Sequence, residues 1–391
     1  MSFPMTRRQM LCGTSAAAAY AVFGISRQAQ AAPRGVVQET KVISHQPEYY
    51  HGWPTVARCK SGRLLLSYSG GREGHICPFG RVELMQSDDE GRTWARPQVI
   101  LDTETDDRDS GVLETAKGTL LVTTFTSQAY EPMLVKAEKA AGSKGAWPEA
   151  KLKAWLAAHN RLSAEQRKAL LGEWVLRSTD GGITWSTPYR SLINSPHGPI
   201  QRADGRLLYA GKQLWTKEHR NGVCQSTDDG QTWQWLAAIP TRQGDKQEQY
   251  HELHAVETTD GRILVQIRNH NKANAGETLQ CESSDGGKTW SEPRSIGVWG
   301  LPSHLMRLKD GRLLMTYGYR REPYGNQARV SADQGRTWSE PIIISGDGAG
   351  GDLGYPSTVQ LTDGSLLTVW YELLKDSPRA VLRQARWTLE T

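Results

Sequence analysis

Seven of the ten histidines, His51, His75, His197, His251, His254, His270 and His304, fall at or near predicted junctions between strands and loops. Any one of them is most often a hydrogen-bonding loop residue, but gathered in one pocket they could do acid/base work near neutral pH or hold a metal. Their separations make no recognised metal motif, and His251 and His254, three residues apart on a strand, would point to opposite faces. No metal or cofactor is therefore assigned. Two further segments concentrate groups able to move protons or bind anions. One runs from Arg72 through Glu73 and His75 to Gly80, and the other is Asp106-Asp107-Arg108-Asp109.

Groups this far apart in the chain can cooperate only if a scaffold gathers them, and two interleaved repeats describe such a scaffold. Six segments place a glycine two residues before a Leu-Leu or Ile-Leu pair, at Gly62, Gly118, Gly205, Gly261, Gly311 and Gly364. Each glycine precedes a short apolar run, the pattern of a hairpin turn feeding a buried strand. The second repeat, Ser-x-Asp-x-Gly-x-Thr-Trp, begins at Ser87, Ser178, Ser226, Ser283 and Ser331. This is the Asp-box hairpin, whose Ser and Asp satisfy turn backbone groups while its Trp packs under the blade. The boxes fasten the fold and are expected to lie away from the chemistry.

A box begins 20 to 25 residues after its turn glycine in every copy but the second, where the interval is 60. The surplus places an insertion at about 135–173, read as a helical hairpin over 151–159 and 163–171, with Ser163 and Glu165 starting its second helix. Six turn-strand units predict an all-β, six-bladed propeller over 32–391. A strand near 36–44 should complete the sixth blade, because closure leaves no exposed edge.

Hydrophobic residues at 38% and charged residues at 23% support a sizeable core and exclude a mostly disordered chain. Of the net charge of +5, Arg7, Arg8 and Arg27 supply three, so residues after 31 carry about +2, too little and too scattered for nucleic acid. Thr6-Arg7-Arg8-Gln9-Met10-Leu11, an apolar run over 12–25 and Ala29-Gln30-Ala31 resemble a twin-arginine export signal covering 1–31. The mature chain is expected from about Ala32, periplasmic or secreted. The apolar run is too short to span a bilayer and no later stretch qualifies, so no integral membrane segment is expected after signal removal. Cys59, Cys77, Cys224 and Cys281 form neither a CxxC pair nor a zinc pattern, and are read as buried or loosely exposed thiols.

Repeated Asp-boxes in a six-bladed pattern resemble the sialidase superfamily, over essentially the whole chain after the leader. The boxes argue fold and not activity. The resemblance implies a Tyr nucleophile assisted by a Glu, an exception among glycosidases, with three Arg for the sugar carboxylate and an Asp as acid/base. The segment from Glu252 to Arg268 is similar to the family stretch joining the catalytic Glu to the second binding Arg. Tyr355-Pro356-Ser357 is similar to the nucleophile segment, with Glu372 where a supporting Glu is placed. A free phenol, pKa near 10, needs such a neighbouring base. Arg320 sits where the third Arg belongs, and Arg321 is its rival.

Two departures stand out. His51-Gly52-Trp53-Pro54-Thr55 occupies the position of the first Arg, and no Asp occurs in the loop Arg72 to Gly80. Arg72, Arg108 and His51 thus become substrate-binding candidates, and the acid/base role passes to His75, Glu73 or the Asp106-Asp107-Arg108-Asp109 cluster, with His75 and Asp109 favoured. The implied function is release of a terminal acidic sugar, sialic acid or a relative, from a glycan. A hydrolase or lyase acting on uronic acids through His75 and His51, and a binding propeller without turnover, remain alternatives. An unsaturated product absorbing in the ultraviolet would mark the lyase, and glycan binding without release would mark the binding module.

Overall fold

A computed structural model describes residues 33–390, so the predicted leader and its cleavage site lie outside the described residues. Six four-stranded antiparallel sheets are arranged as the blades of a propeller. The first strands of blades 1 to 6 are Tyr50–Arg58, Asp106–Glu114, Ile200–Gln201, Tyr250–Glu257, Ser303–Arg307 and Leu353–Gln360. The two ends of the described residues share blade 6, where Arg34–Val42 pairs antiparallel with Ala380–Glu390 and takes the outer edge.

Each first strand turns into the second through a tight turn in which the repeat glycine lies at φ between 81° and 91°. There a side chain would be strained, and the Gly62 amide donates to Cys59 O at 2.9 Å. The second strands are buried on both faces because blades pack face to face. Leu64, Leu65 and Leu66 are all fully buried, each worth about 2 kcal/mol of apolar burial. In the first Asp-box, Ser87 Oγ donates to Asp89 at 2.8 Å and accepts from the Gly91 amide at 2.8 Å, while Asp89 accepts from the Thr93 amide at 2.9 Å. The other four boxes repeat the Ser–Asp bond and the glycine amide bond. All four described cysteines are free and buried.

The insertion in blade 2 holds three helices: α1 (Glu131–Lys139), α2 (Glu149–His159) and α3 (Ala164–Leu170). The sequence pattern signalled the last two and missed α1, which starts on Glu131-Pro132, where proline suits a first turn. Ser163 caps α3 as expected, with Glu165 in the first turn and Gln166 completing a capping box. Trp155 of α2 is 1% exposed and packs edge-on against Phe79 and Tyr130. The insertion thereby clamps the blade 1 loop that carries His75.

Candidate active site

One end of the channel, on the side of the glycine hairpin turns, holds a cavity that touches the first strand of all six blades. A second cavity of about 250 Å³ opens at the other end, lined by His75, Arg108, Asp109, Phe125, His251, Glu252, Arg268, His270, Arg320 and Tyr355. Three of these are aimed by the same local device. Asp109, Glu252 and Tyr355 have left-handed φ of 43°, 42° and 53°, as does Trp53 at 55°. Each sits where its first strand slips register against the second. Such a bulge breaks the alternation of side chains and re-aims one of them. Non-glycine residues in this conformation cost about 1–3 kcal/mol each, a strain typical of functional sites.

Tyr355 and Glu252, from blades 6 and 4, meet in this cavity: the Tyr355 hydroxyl donates to Glu252 Oε1. Arg268 joins them, ion-paired to Glu252 Oε2 through Nη1 and donating to the Tyr355 hydroxyl at 3.1 Å. Burial alone would raise the Glu252 carboxyl, but the Arg268 charge and the Tyr355 hydrogen bond overcome it and hold the group down to about 2. Burial and the Glu252 charge push the Tyr355 phenol well above its ordinary value. The phenol is therefore protonated at rest, with a carboxylate in place to take its proton.

Arg268 Nε donates to His270 Nε2 at 2.7 Å, leaving that imidazole neutral, and His251 packs 4.8 Å from its ring. Burial, aided by Lys212, lowers His251 to about 4. Asp109 is 7% exposed and its Oδ1 has no partner among the described residues. Burial raises it to about 7 against the pull of Arg108. Arg108 lies over Trp53 at 4.4 Å, and its buried Nε is also unpartnered. Arg320 lines the cavity and faces the Tyr355 ring at 5.8 Å, whereas Arg321 lies outside it and stacks on Trp299 at 3.8 Å.

Three expected site residues, Arg72, His51 and Glu372, do not line the cavity. Arg72 is fully buried, ion-paired to Asp106 and donating to His75 O at 2.9 Å, so it fastens a loop. His51 is 1% exposed and its Nδ1 meets Ser44 Oγ at 3.0 Å. Glu372 lies outside the cavity, its Oε1 held by Arg383 and the Trp370 indole. Residues 51 and 372 fall on the strand face that packs into the blade. Asp352, which contacts His75 at 3.0 Å, went unnoticed in the sequence although it lies three residues before Tyr355.

A family described as a BNR repeat-like domain matches residues 145–368, more than half of the chain. The protein belongs to the BNR repeat-like family. Among curated relatives of this BNR protein, a sialidase from Micromonospora viridifaciens is 28% identical over 263 residues, 61% of this chain and 35% of that protein. A xyloglucanase from Paenibacillus sp is 27% identical over 170 residues, 38% of this chain and 16% of that one. The matched stretches thus span between a sixth and about a third of these relatives. A solved protein of unknown function from Dyadobacter fermentans superposes with a TM-score of 0.72 at 24% identity, covering 91% of this chain and 99% of that one. Trypanosoma rangeli sialidase superposes with a TM-score of 0.56 at 17% identity, covering 86% of this chain and 55% of that one. These likenesses establish the sialidase-like propeller fold, and the curated relatives that the chain resembles are a sialidase and a xyloglucanase.

Proposed function

We propose that this protein is a retaining exo-glycosidase that releases a terminal acidic sugar from a glycan. The reading is carried by the Tyr355 hydroxyl, which contacts both Glu252 and Arg268 in a cavity open at one end. Glu252, ionised, takes the phenolic proton as the Tyr355 oxygen attacks the anomeric carbon, giving a covalent glycosyl-tyrosine that water then opens. A neutral phenol approaches an anionic sugar without the repulsion that a carboxylate nucleophile would meet. Arg108, Arg268 and Arg320 line the cavity and Glu252 offsets one of them, so the lining favours an anion. The volume is below the roughly 300–1,000 Å³ of pockets for drug-sized ligands, which suits one terminal ring better than a chain.

Asp109 and His75 are the two groups of the cavity suited to proton transfer to the leaving oxygen. A lyase working through His75 and His51 would lack its second imidazole, since His51 is buried against Ser44. The export signal expected over 1–31 is in keeping with action in the periplasm or outside the cell, where glycans are met. The test is a panel of aryl glycosides of acidic sugars. Turnover with retained anomeric configuration, abolished in Tyr355→Phe, is expected. Full turnover by that variant, or an unsaturated product, overturns the reading.

A further inference from the structure

We infer that His75, oriented by Asp352, protonates the departing glycosidic oxygen, while the buried Asp109 does not. The inference rests on the glycosidase reading above. His75 Nδ1 lies 3.0 Å from Asp352 Oδ1 and 2.9 Å from the Tyr50 hydroxyl. The same Asp352 oxygen accepts from Tyr50 at 3.0 Å and Tyr371 at 3.1 Å. A carboxylate with three donors on one oxygen is fixed in place, and it draws the imidazole proton to Nδ1. Nε2 is then the nitrogen left to the cavity that His75 lines. This is how a carboxylate orients a catalytic imidazole.

Exposure separates the two acids. A terminal sugar enters ring first, so the rest of the glycan must leave through the open mouth, and the proton donor to that oxygen must stand there too. His75 is the exposed residue of the lining, with 46% of its side chain accessible, whereas Asp109 is 7% exposed. Elements from three blades fix the imidazole: Arg72 and Trp53 of blade 1, Asp352 and Tyr371 of blade 6, and Trp155 of the blade 2 insertion. The Arg72 guanidinium holds the carbonyls of Gly74 and His75, and the Trp155 indole donates to Glu73 at 2.9 Å. The Trp53 ring stands edge-on to the imidazole at 5.0 Å.

In the first half-reaction the C–O bond breaks, its electron pair goes to the leaving oxygen, and that oxygen takes the Nε2 proton of the imidazolium. The Tyr355 oxygen bonds to the anomeric carbon as its own proton passes to Glu252. In the second half, water attacks that carbon and gives a proton to His75 Nε2, while the Tyr355 oxygen departs and recovers its proton from Glu252. His75 is thus a catalytic residue and Asp352 a positioning residue.

Leaving-group dependence tests this in the full-length protein. Two glycosides of one acidic sugar are compared, one with 4-nitrophenol and one with methanol as leaving group. His75→Ala should lower kcat/KM for the methyl glycoside by roughly 10²–10⁴-fold, and for the nitrophenyl glycoside by less than about tenfold, since that group departs unprotonated. Azide, which needs no base, should restore turnover of the nitrophenyl substrate and yield a glycosyl azide. Asp352→Asn should show the same selectivity, weaker in size. Equal losses on both substrates in His75→Ala, or the selective loss in Asp109→Asn instead, overturn the inference. Full turnover by Tyr355→Phe, or a wild type inert on both glycosides, overturns the glycosidase reading and this inference with it.

Discussion

Glu252 and Tyr355 stand 103 residues apart on the first strands of blades 4 and 6, and both reach their shared hydrogen bond from a left-handed backbone. Glu252 owes its ionised state to Arg268 and the Tyr355 hydroxyl, so the pair works as a unit. Glu252→Gln keeps the shape and removes the base. It should lower kcat by roughly 10²–10⁴-fold, with circular dichroism unchanged, measured on the most reactive substrate of the glycoside panel.

Asp109 carries a stability consequence of its own. Its carboxyl is raised by burial from 3.8 to about 7, so the folded state binds the proton more tightly than the unfolded chain. The contribution is full below the unfolded value and is lost as pH rises through about 7. Urea unfolding should show Asp109→Asn gaining about 3 kcal/mol on the wild type between about pH 5 and about pH 8. A difference that does not change with pH contradicts this.

The two adjacent arginines should separate cleanly. Arg320→Ala removes a cation from the cavity and should raise KM for an acidic sugar about tenfold or more, the size of a charged hydrogen bond. Arg321→Ala, losing only its stack on Trp299, should change KM by less than about twofold. Equal effects would place the anion elsewhere.

The Asp-boxes predict an acid limit to the fold. Bonds from the Thr184 hydroxyl and amide hold the exposed Asp180 carboxyl down to about 2, below its unfolded value. That stabilisation is present above the unfolded pKa and is lost as pH falls toward about 2. The melting temperature of the wild type should therefore drop from about pH 4 downward, and Asp180→Ala should flatten part of that slope in thermal melts at several pH values.

The architecture was legible because it repeats: a turn glycine and an eight-residue box recur at nearly fixed spacing, and each motif carries its own hydrogen bonds. That Tyr355, Glu252, Arg268 and Arg320 gather in one cavity was legible through family resemblance, since their segments keep the strand-turn-strand register. His51 and Arg72 were misread because sequence shows that a residue is polar and not which side of a strand it faces. Both sit near register slips between strands Tyr50–Arg58 and Leu64–Arg72, where counting by twos fails. Asp352 was invisible for a different reason, since its role is a contact with His75 across 277 residues. Helix α1 was lost because its nine residues carry few start signals beyond one proline.

Blade 6 holds Tyr355, yet its outermost strand is Arg34–Val42, made more than three hundred residues earlier. The sheet that carries Tyr355 is therefore unfinished until opposite ends of the described residues have met. A ribosome-bound fragment or a chain nicked near Val36 would keep Tyr355 while lacking the clasp behind it. Appearance of turnover during synthesis thus doubles as a clock for ring closure, and should lag the exit of Ala380–Glu390 from the tunnel.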